Sequence, residues 1–155
     1  MGVNRRAFVG LAFAGAVQAA RRTEDARSVE ERVFLVVNRE RRSRNLPVLL
    51  WSNALAAEAR RHSREMERRG FFGHTDPERG TLVNRLRSAN IEYAACAENL
   101  YKQSRSTGAS SAAVAAWLRS RGHRRNLLSR IYRDTGVGVT VNSNGRYIVT
   151  QIFLA

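Results

Sequence analysis

Two of this chain's three histidines sit where an imidazole can do chemistry. His123 lies in Ser120-Arg121-Gly122-His123-Arg124-Arg125-Asn126-Leu127-Leu128, inside a basic run. Nearby positive charge disfavours protonation, and neutral imidazole is the form that binds a metal or accepts a proton. His74 follows Gly73 in a turn-rich stretch, with Asp76 and Glu78 close behind, and Ala97-Glu98-Asn99-Leu100 supplies a further carboxylate. Two imidazoles with one or two carboxylates suit zinc with positions left open for water, and equally suit acid–base work. His74 and Glu98 are 24 residues apart and Glu98 and His123 are 25 apart, so only the fold can bring them together. On spacing alone, hydrogen-bonded ties between loops and a sheet explain these residues better than a ligand set does.

His62 has a different setting. It shares a helical stripe with Leu55, Ala59 and Met66, the position of a core histidine bonded to a backbone carbonyl. Cys96 is the sole cysteine, so no intramolecular disulfide can form, and it reads as a small buried thiol rather than a nucleophile. Neither HExxH nor GxSxG occurs.

The elements that must position these groups follow from caps and periodicity. Ser28-Val29-Glu30-Glu31 reads as a capping box opening a helix to about Arg44, and its run Val33–Val37 is apolar all round, the mark of a buried helix. Ser52 can cap a second helix ending at Gly70, and Thr81 a short third one carrying Leu82, Val83 and Leu86. Residues 91–101 are too mixed to assign. A fourth helix after Ser111 turns Val114, Trp117 and Leu118 inward. Two β-rich runs, 136–141 and 146–154, flank Asn142-Ser143-Asn144-Gly145, a hairpin turn. Helices followed by a terminal hairpin predict an α+β or layered α/β/α domain.

With 155 residues, 43% hydrophobic and 26% charged, the chain suits one domain with one core. The formal charge of +14, nearly all arginine, draws it to anionic surfaces such as lipid or cell-wall polymer. The arginines alternate with glutamates and no nucleic-acid-binding signature occurs, so no specific nucleic-acid binding is expected. Residues 1–19 have the layout of a secretory signal peptide, and Asn4-Arg5-Arg6-Ala7-Phe8-Val9 looks like a twin-arginine export signal. Residues 20–27 form a polar lead-in and 28–155 the domain, predicted to be secreted or periplasmic. Cleavage after Ala19 removes Arg5 and Arg6 and no carboxylate, lowering the charge by two.

Taken in order, NRERRSRNLPVLLWSNALAAEARRHSREM, GHT, AENL, AWLRSRGHRRNLL and GVGV…YIVTQIF closely resemble the CAP superfamily of cysteine-rich secretory, antigen 5 and pathogenesis-related 1 proteins, in its bacterial, cysteine-poor branch. The resemblance covers residues 28–155. It implies a single α/β/α sandwich with a central antiparallel sheet and an open cleft lined by two histidines and two acids. By position His74 and His123 match the histidines and Glu98 the glutamate of the "EN" motif. Glu78 is the first candidate for the other acid, with Asp76 the alternative. The resemblance implies a divalent metal, zinc first, on His74 and His123 with Glu98 as a further ligand candidate. The function implied is a ligand-binding module, with lipid or a cell-wall surface as partner. The alternative is a metal- or histidine-dependent hydrolase, peptidase or nuclease-like, so enzymatic activity stays open.

Overall fold

The structure, a computed structural model, describes residues 24–104 and 108–155. The expected signal peptide and residues 20–23 of the lead-in lie outside the described residues. In chain order the elements are α1 (Ala26–Arg42), β1 (Leu50–Trp51), α2 (Asn53–Arg69), α3 (Leu82–Ser88), β2 (Cys96–Ser104), α4 (Ala109–Arg119), α5 (Arg121–Leu128), β3 (Asp134–Val141) and β4 (Arg146–Leu154).

Local chemistry sets the helix ends. Ser52 caps α2 by accepting from the Leu55 N–H, and Gly70 ends it at φ 69°, a left-handed conformation that glycine adopts without steric cost. Thr81 and Asn84 form a reciprocal capping box on α3. The start of α1 differs from expectation: Asp25, not Ser28, is the cap, and it accepts from the Ser28 N–H at 2.9 Å. Aspartate caps as well as serine does, and its charge suits the positive end of the helix, so α1 reaches two residues into the expected lead-in. Nor is α1 buried all round. Val33 and Val37 are fully covered but Leu35 is 57% exposed, because this helix packs with one face only.

The sheet runs β1-β3-β4-β2. The three long strands are antiparallel, as expected, and the two-residue β1 adds a parallel edge through Leu50↔Asp134 and Trp51↔Thr135. Residues 91–101, left unassigned above, contain the start of β2, whose other edge pairs with no strand among the described residues. Side-chain alternation splits β4 cleanly. Tyr147, Val149 and Phe153 join the main core under α1, α4 and α5. Ile148 and Ile152 meet Leu55, Ala59, Met66 and Leu86 of α2 and α3 on the opposite face. The result is the three-layer α/β/α sandwich.

Helix α2 lies unusually close to β3. A Cβ on Gly136 would stand 2.1 Å from the Ala56 nitrogen, and one on Gly138 only 1.9 Å from the Arg60 nitrogen. These are backbone atoms of a packed helix and cannot step aside. Overpacking a core costs about 1–3 kcal/mol when side chains can adjust. Gly138→Ala is therefore expected to cost at least about 3 kcal/mol, read as a lowered denaturant midpoint; an unchanged midpoint would show that α2 can lift off the sheet freely.

Candidate functional site

The candidate residues converge at the edge strand β2, from both faces of the sheet. Glu98 turns its side chain to the α2–α3 face, where it is 2% exposed. Burying a carboxylate costs several kcal/mol unless it is paired and hydrogen-bonded. Both oxygens are engaged: Arg85 Nη2 donates to Oε2 at 2.7 Å, and His74 Nδ1 lies 2.9 Å from Oε1. Arg85, itself fully buried, also approaches Glu58, which takes a second guanidinium from Arg79 at 2.7 Å. A line of alternating charges thus runs Arg79, Glu58, Arg85, Glu98 and ends on His74, whose side chain is 56% exposed. With Glu98 ionised, Nδ1 carries the hydrogen, which leaves Nε2 of His74 free to ligate or accept.

His123 arrives from the other face on α5, near the start of that helix. Three side chains hold α5 there. Asn99, the neighbour of Glu98 on the opposite side of the strand, donates to the His123 carbonyl at 3.1 Å. Asn126 donates to Asn99 Oδ1 at 3.0 Å and to the Glu98 carbonyl at 3.4 Å. Buried Arg41 of α1 donates to the Leu127 and Ser129 carbonyls at 2.8 and 2.9 Å, fixing the end of α5. The His74 and His123 rings come to 6.4 Å between centroids, tilted by 47°.

The cause of His123's neutrality differs from the sequence expectation. Burial, and then the neighbouring His74, pushes its imidazole below the ordinary histidine value. Arg124 and Arg125 face a separate groove with Arg119 and Arg121.

Glu78 and Asp76 stand differently from the expected second acid. The Glu78 side chain is 70% exposed and pairs with Arg69 at 3.0 Å, and none of its hydrogen bonds or ion pairs reaches either histidine. Asp76 is buried, ion-paired with Arg69, and accepts from the Glu78 and Arg79 N–H groups at 2.9 and 3.0 Å. Burial alone would raise its pKa, but the Arg79 and Glu78 N–H donors and the Arg69 guanidinium outweigh it and lower the value to about 2. Asp76 is a loop clamp, because Arg69 at the end of α2 draws this loop's carboxylates toward itself. Among the described residues, no group of three or more His, Cys, Asp or Glu side chains is gathered so as to hold a metal ion by itself.

His62 is the core histidine its stripe position predicts: fully buried, with Nε2 donating to the Gly73 carbonyl at 3.0 Å. It therefore fastens the residue next to His74. Cys96 is half-buried rather than buried, and burial, followed by the Glu98 charge, raises its thiol pKa, which works against a nucleophilic role. Arg85 and Asn99 were missed by the sequence reading. Arg85 did carry a signal, since it occupies the i+3 place of the apolar stripe begun by Leu82 and shared with Leu86.

The cysteine-rich secretory protein (CAP) family model matches residues 34–153. Over 125 residues the chain is 30% identical to the Bacillus subtilis protein YkwD, covering 81% of this chain and 46% of that one. It also resembles a Bacillus anthracis extracellular protein containing an SCP domain, with TM-score 0.70 and 32% identity over 83% of this chain and 41% of the other. An outer surface protein of Borrelia burgdorferi shares the fold at TM-score 0.76 and 18% identity, over 84% of this chain and 95% of the other. The chain thus spans less than half the length of that Bacillus subtilis relative.

Arg85→Met removes the partner of a buried carboxylate and is expected to cost about 3–5 kcal/mol in a denaturant titration. A cost under about 1 kcal/mol would mean that Glu98 reaches water. Burial also lowers the His62 pKa, with Glu98 pulling the other way. The folded state then binds the proton less readily than the unfolded chain, so the His62 contribution is full above the unfolded value of about 6.5 and fades as pH falls. The metal-free protein should lose thermal stability between pH 7 and 5, and His62→Gln should flatten that decline; a decline of unchanged steepness in His62→Gln would overturn the assignment.

Proposed function

Because this chain belongs to the cysteine-rich secretory protein (CAP) family, we propose that it is an exported binding module whose site is the His74–His123 cleft, able to hold a divalent cation. The observation that carries this reading is the approach of two imidazoles over one sheet edge, the first with its Nδ1 engaged by Glu98. A metal-bound histidine characteristically gives its second ring nitrogen to a carboxylate, which fixes tautomer and orientation. Glu98 is in that supporting position, with both oxygens engaged, so His74 and His123 are the ligands and Glu98 orients one of them. The donor set fits a cation such as zinc bound by two imidazoles and otherwise by water or a ligand, an open site rather than a closed structural one. When bound, the cation would supply a Lewis acid for an oxygen-bearing ligand. The protein's own part is to keep His123 neutral by burial and to hold His74 in one tautomer.

Export is supported by the signal-like layout of residues 1–19 and by extracellular or outer-surface relatives. No helix among the described residues is long and apolar enough to cross a membrane. The raised pKa of the Cys96 thiol speaks against a cysteine nucleophile and leaves the metal- or histidine-dependent hydrolase as the alternative.

Zinc calorimetry on the purified protein tests the cleft. His74→Ala and His123→Ala are each expected to weaken zinc at least about 100-fold and Glu98→Gln about 10–100-fold, while Glu78→Gln leaves it unchanged. Protonation competes with the metal, so affinity should fall from pH 7.5 to 5.5. Equal affinity in wild type and His123→Ala would remove His123 from the site.

A further inference from the structure

Helix α5 has a second working face. Arg121, Arg124, Arg125 and Leu128 follow the i, i+3, i+4, i+7 pattern of one helical stripe, whereas His123, Asn126 and Leu127 face the domain. With Arg119 and Ser129 they line an open groove of about 640 Å³. All four arginines are exposed, and none has an ion-pair partner among the described residues. Residues 1–23 and 105–107 contain no Asp or Glu that could neutralise them. Elsewhere some exposed arginines are paired, Arg44 with Glu40 and Arg68 with Glu65, and others, Arg61 and Arg64 among them, have no ion-pair partner among the described residues; the four here line one groove together. Like charges at i, i+3 and i+4 destabilise a helix, so α5 carries a repulsion that a bound anion would relieve. The first turn of α5 has no acidic residue, and its Ser120 cap makes no side-chain hydrogen bond, which adds the positive end of the helix to the same field.

We propose that this groove binds a phosphodiester-linked polyanion that carries no bases. Guanidinium forks match phosphate oxygens in bidentate geometry, which makes a lining whose charged groups are all arginine better suited to phosphate than to a diffuse counter-ion cloud. No aromatic side chain lines the groove, so it offers no platform on which a nucleobase could stack. No exposed large apolar residue lines it either, which separates it from a surface built to enter a bilayer. A flexible charged chain in water meets all three conditions. The groove lies across α5 from the histidine cleft and does not depend on any metal there.

The test compares the full chain with two variants of equal net charge. One carries Arg119→Gln, Arg121→Gln, Arg124→Gln and Arg125→Gln. The other carries Arg39→Gln, Arg42→Gln, Arg61→Gln and Arg64→Gln on exposed positions of α1 and α2. The probes are lipid-free poly(glycerol phosphate), polyglutamate of matched length, an oligodeoxythymidine, and phosphatidylglycerol–phosphatidylcholine vesicles. Poly(glycerol phosphate) is expected to bind wild type and the α1/α2 variant within about threefold and to lose at least about 100-fold in the groove variant. Four phosphate contacts predict a log–log salt slope of about −3 in wild type, at about 0.7 per contact on a flexible strand, falling below about 1 in magnitude in the groove variant. The groove variant should melt no lower than wild type, since repulsion has been removed. If it fails to fold, the Arg124→Gln, Arg125→Gln double variant carries the test, with an expected loss of about tenfold. Equal losses in the two four-site variants would reduce the effect to overall charge and overturn the site. Polyglutamate binding as tightly as the phosphate polymer, tighter binding to the oligodeoxythymidine, or binding to vesicles alone would each overturn the assigned ligand.

Discussion

The buried pair of Arg85 and Glu98 is the constraint on which the site depends. A carboxylate with its side chain 2% exposed is tolerable only where a cation and a donor take both of its oxygens. That requirement forces α3 against β2, and it forces the loop after α2 to present His74 to the remaining oxygen. His62, from within α2, holds the same loop by the Gly73 carbonyl. The exposed imidazole is therefore the visible end of an arrangement whose energetics are internal. Glu58 and Arg79 extend that arrangement, so that the buried Arg85 has a second carboxylate nearby and Glu58 a second guanidinium.

The sheet edge explains how groups from opposite faces meet. In the middle of a sheet, a residue from α5 and one from the α2–α3 loop would be separated by strands. At β2 no further strand of the described residues lies alongside, so the two can approach over its rim. The same geometry protects the edge: Trp117 donates to the Leu100 carbonyl at 2.9 Å, and Asn126 reaches that of Glu98. An unpaired strand edge would otherwise invite pairing with another chain. Covering the edge and building the cleft are thus done by the same helices.

Helix α5 divides its residues between two environments at the period of the helix. One face supplies His123 and Asn126 to the cleft, and the other carries Arg121, Arg124 and Arg125, with Arg119 at the end of α4 completing the groove. Adjacent arginines in sequence are not adjacent to the histidine in chemistry. Burial and the neighbouring His74, rather than the basic run, account for the lowered pKa of His123.

Local signals settled much of this protein before any tertiary contact is considered. Ser52 and Gly70 bound α2, Thr81 opens α3, and Asn142–Gly145 turns the terminal hairpin, because capping and turn geometry involve only residues a few positions apart. The stripe through Leu55, Ala59 and Met66 likewise marked His62 as internal. The order of short motifs marked His74, Glu98 and His123, although no spacing could bring them together. Long-range pairing decided the rest. Of residues 91–101, those from Cys96 onward became strand because β4 was there to pair with them. Glu78 and Asp76 were drawn to Arg69, and Arg85 became the buried counter-ion of Glu98. Each of these outcomes depends on which charge or strand the fold sets beside a residue, and partners distant in the chain leave no periodic trace along it.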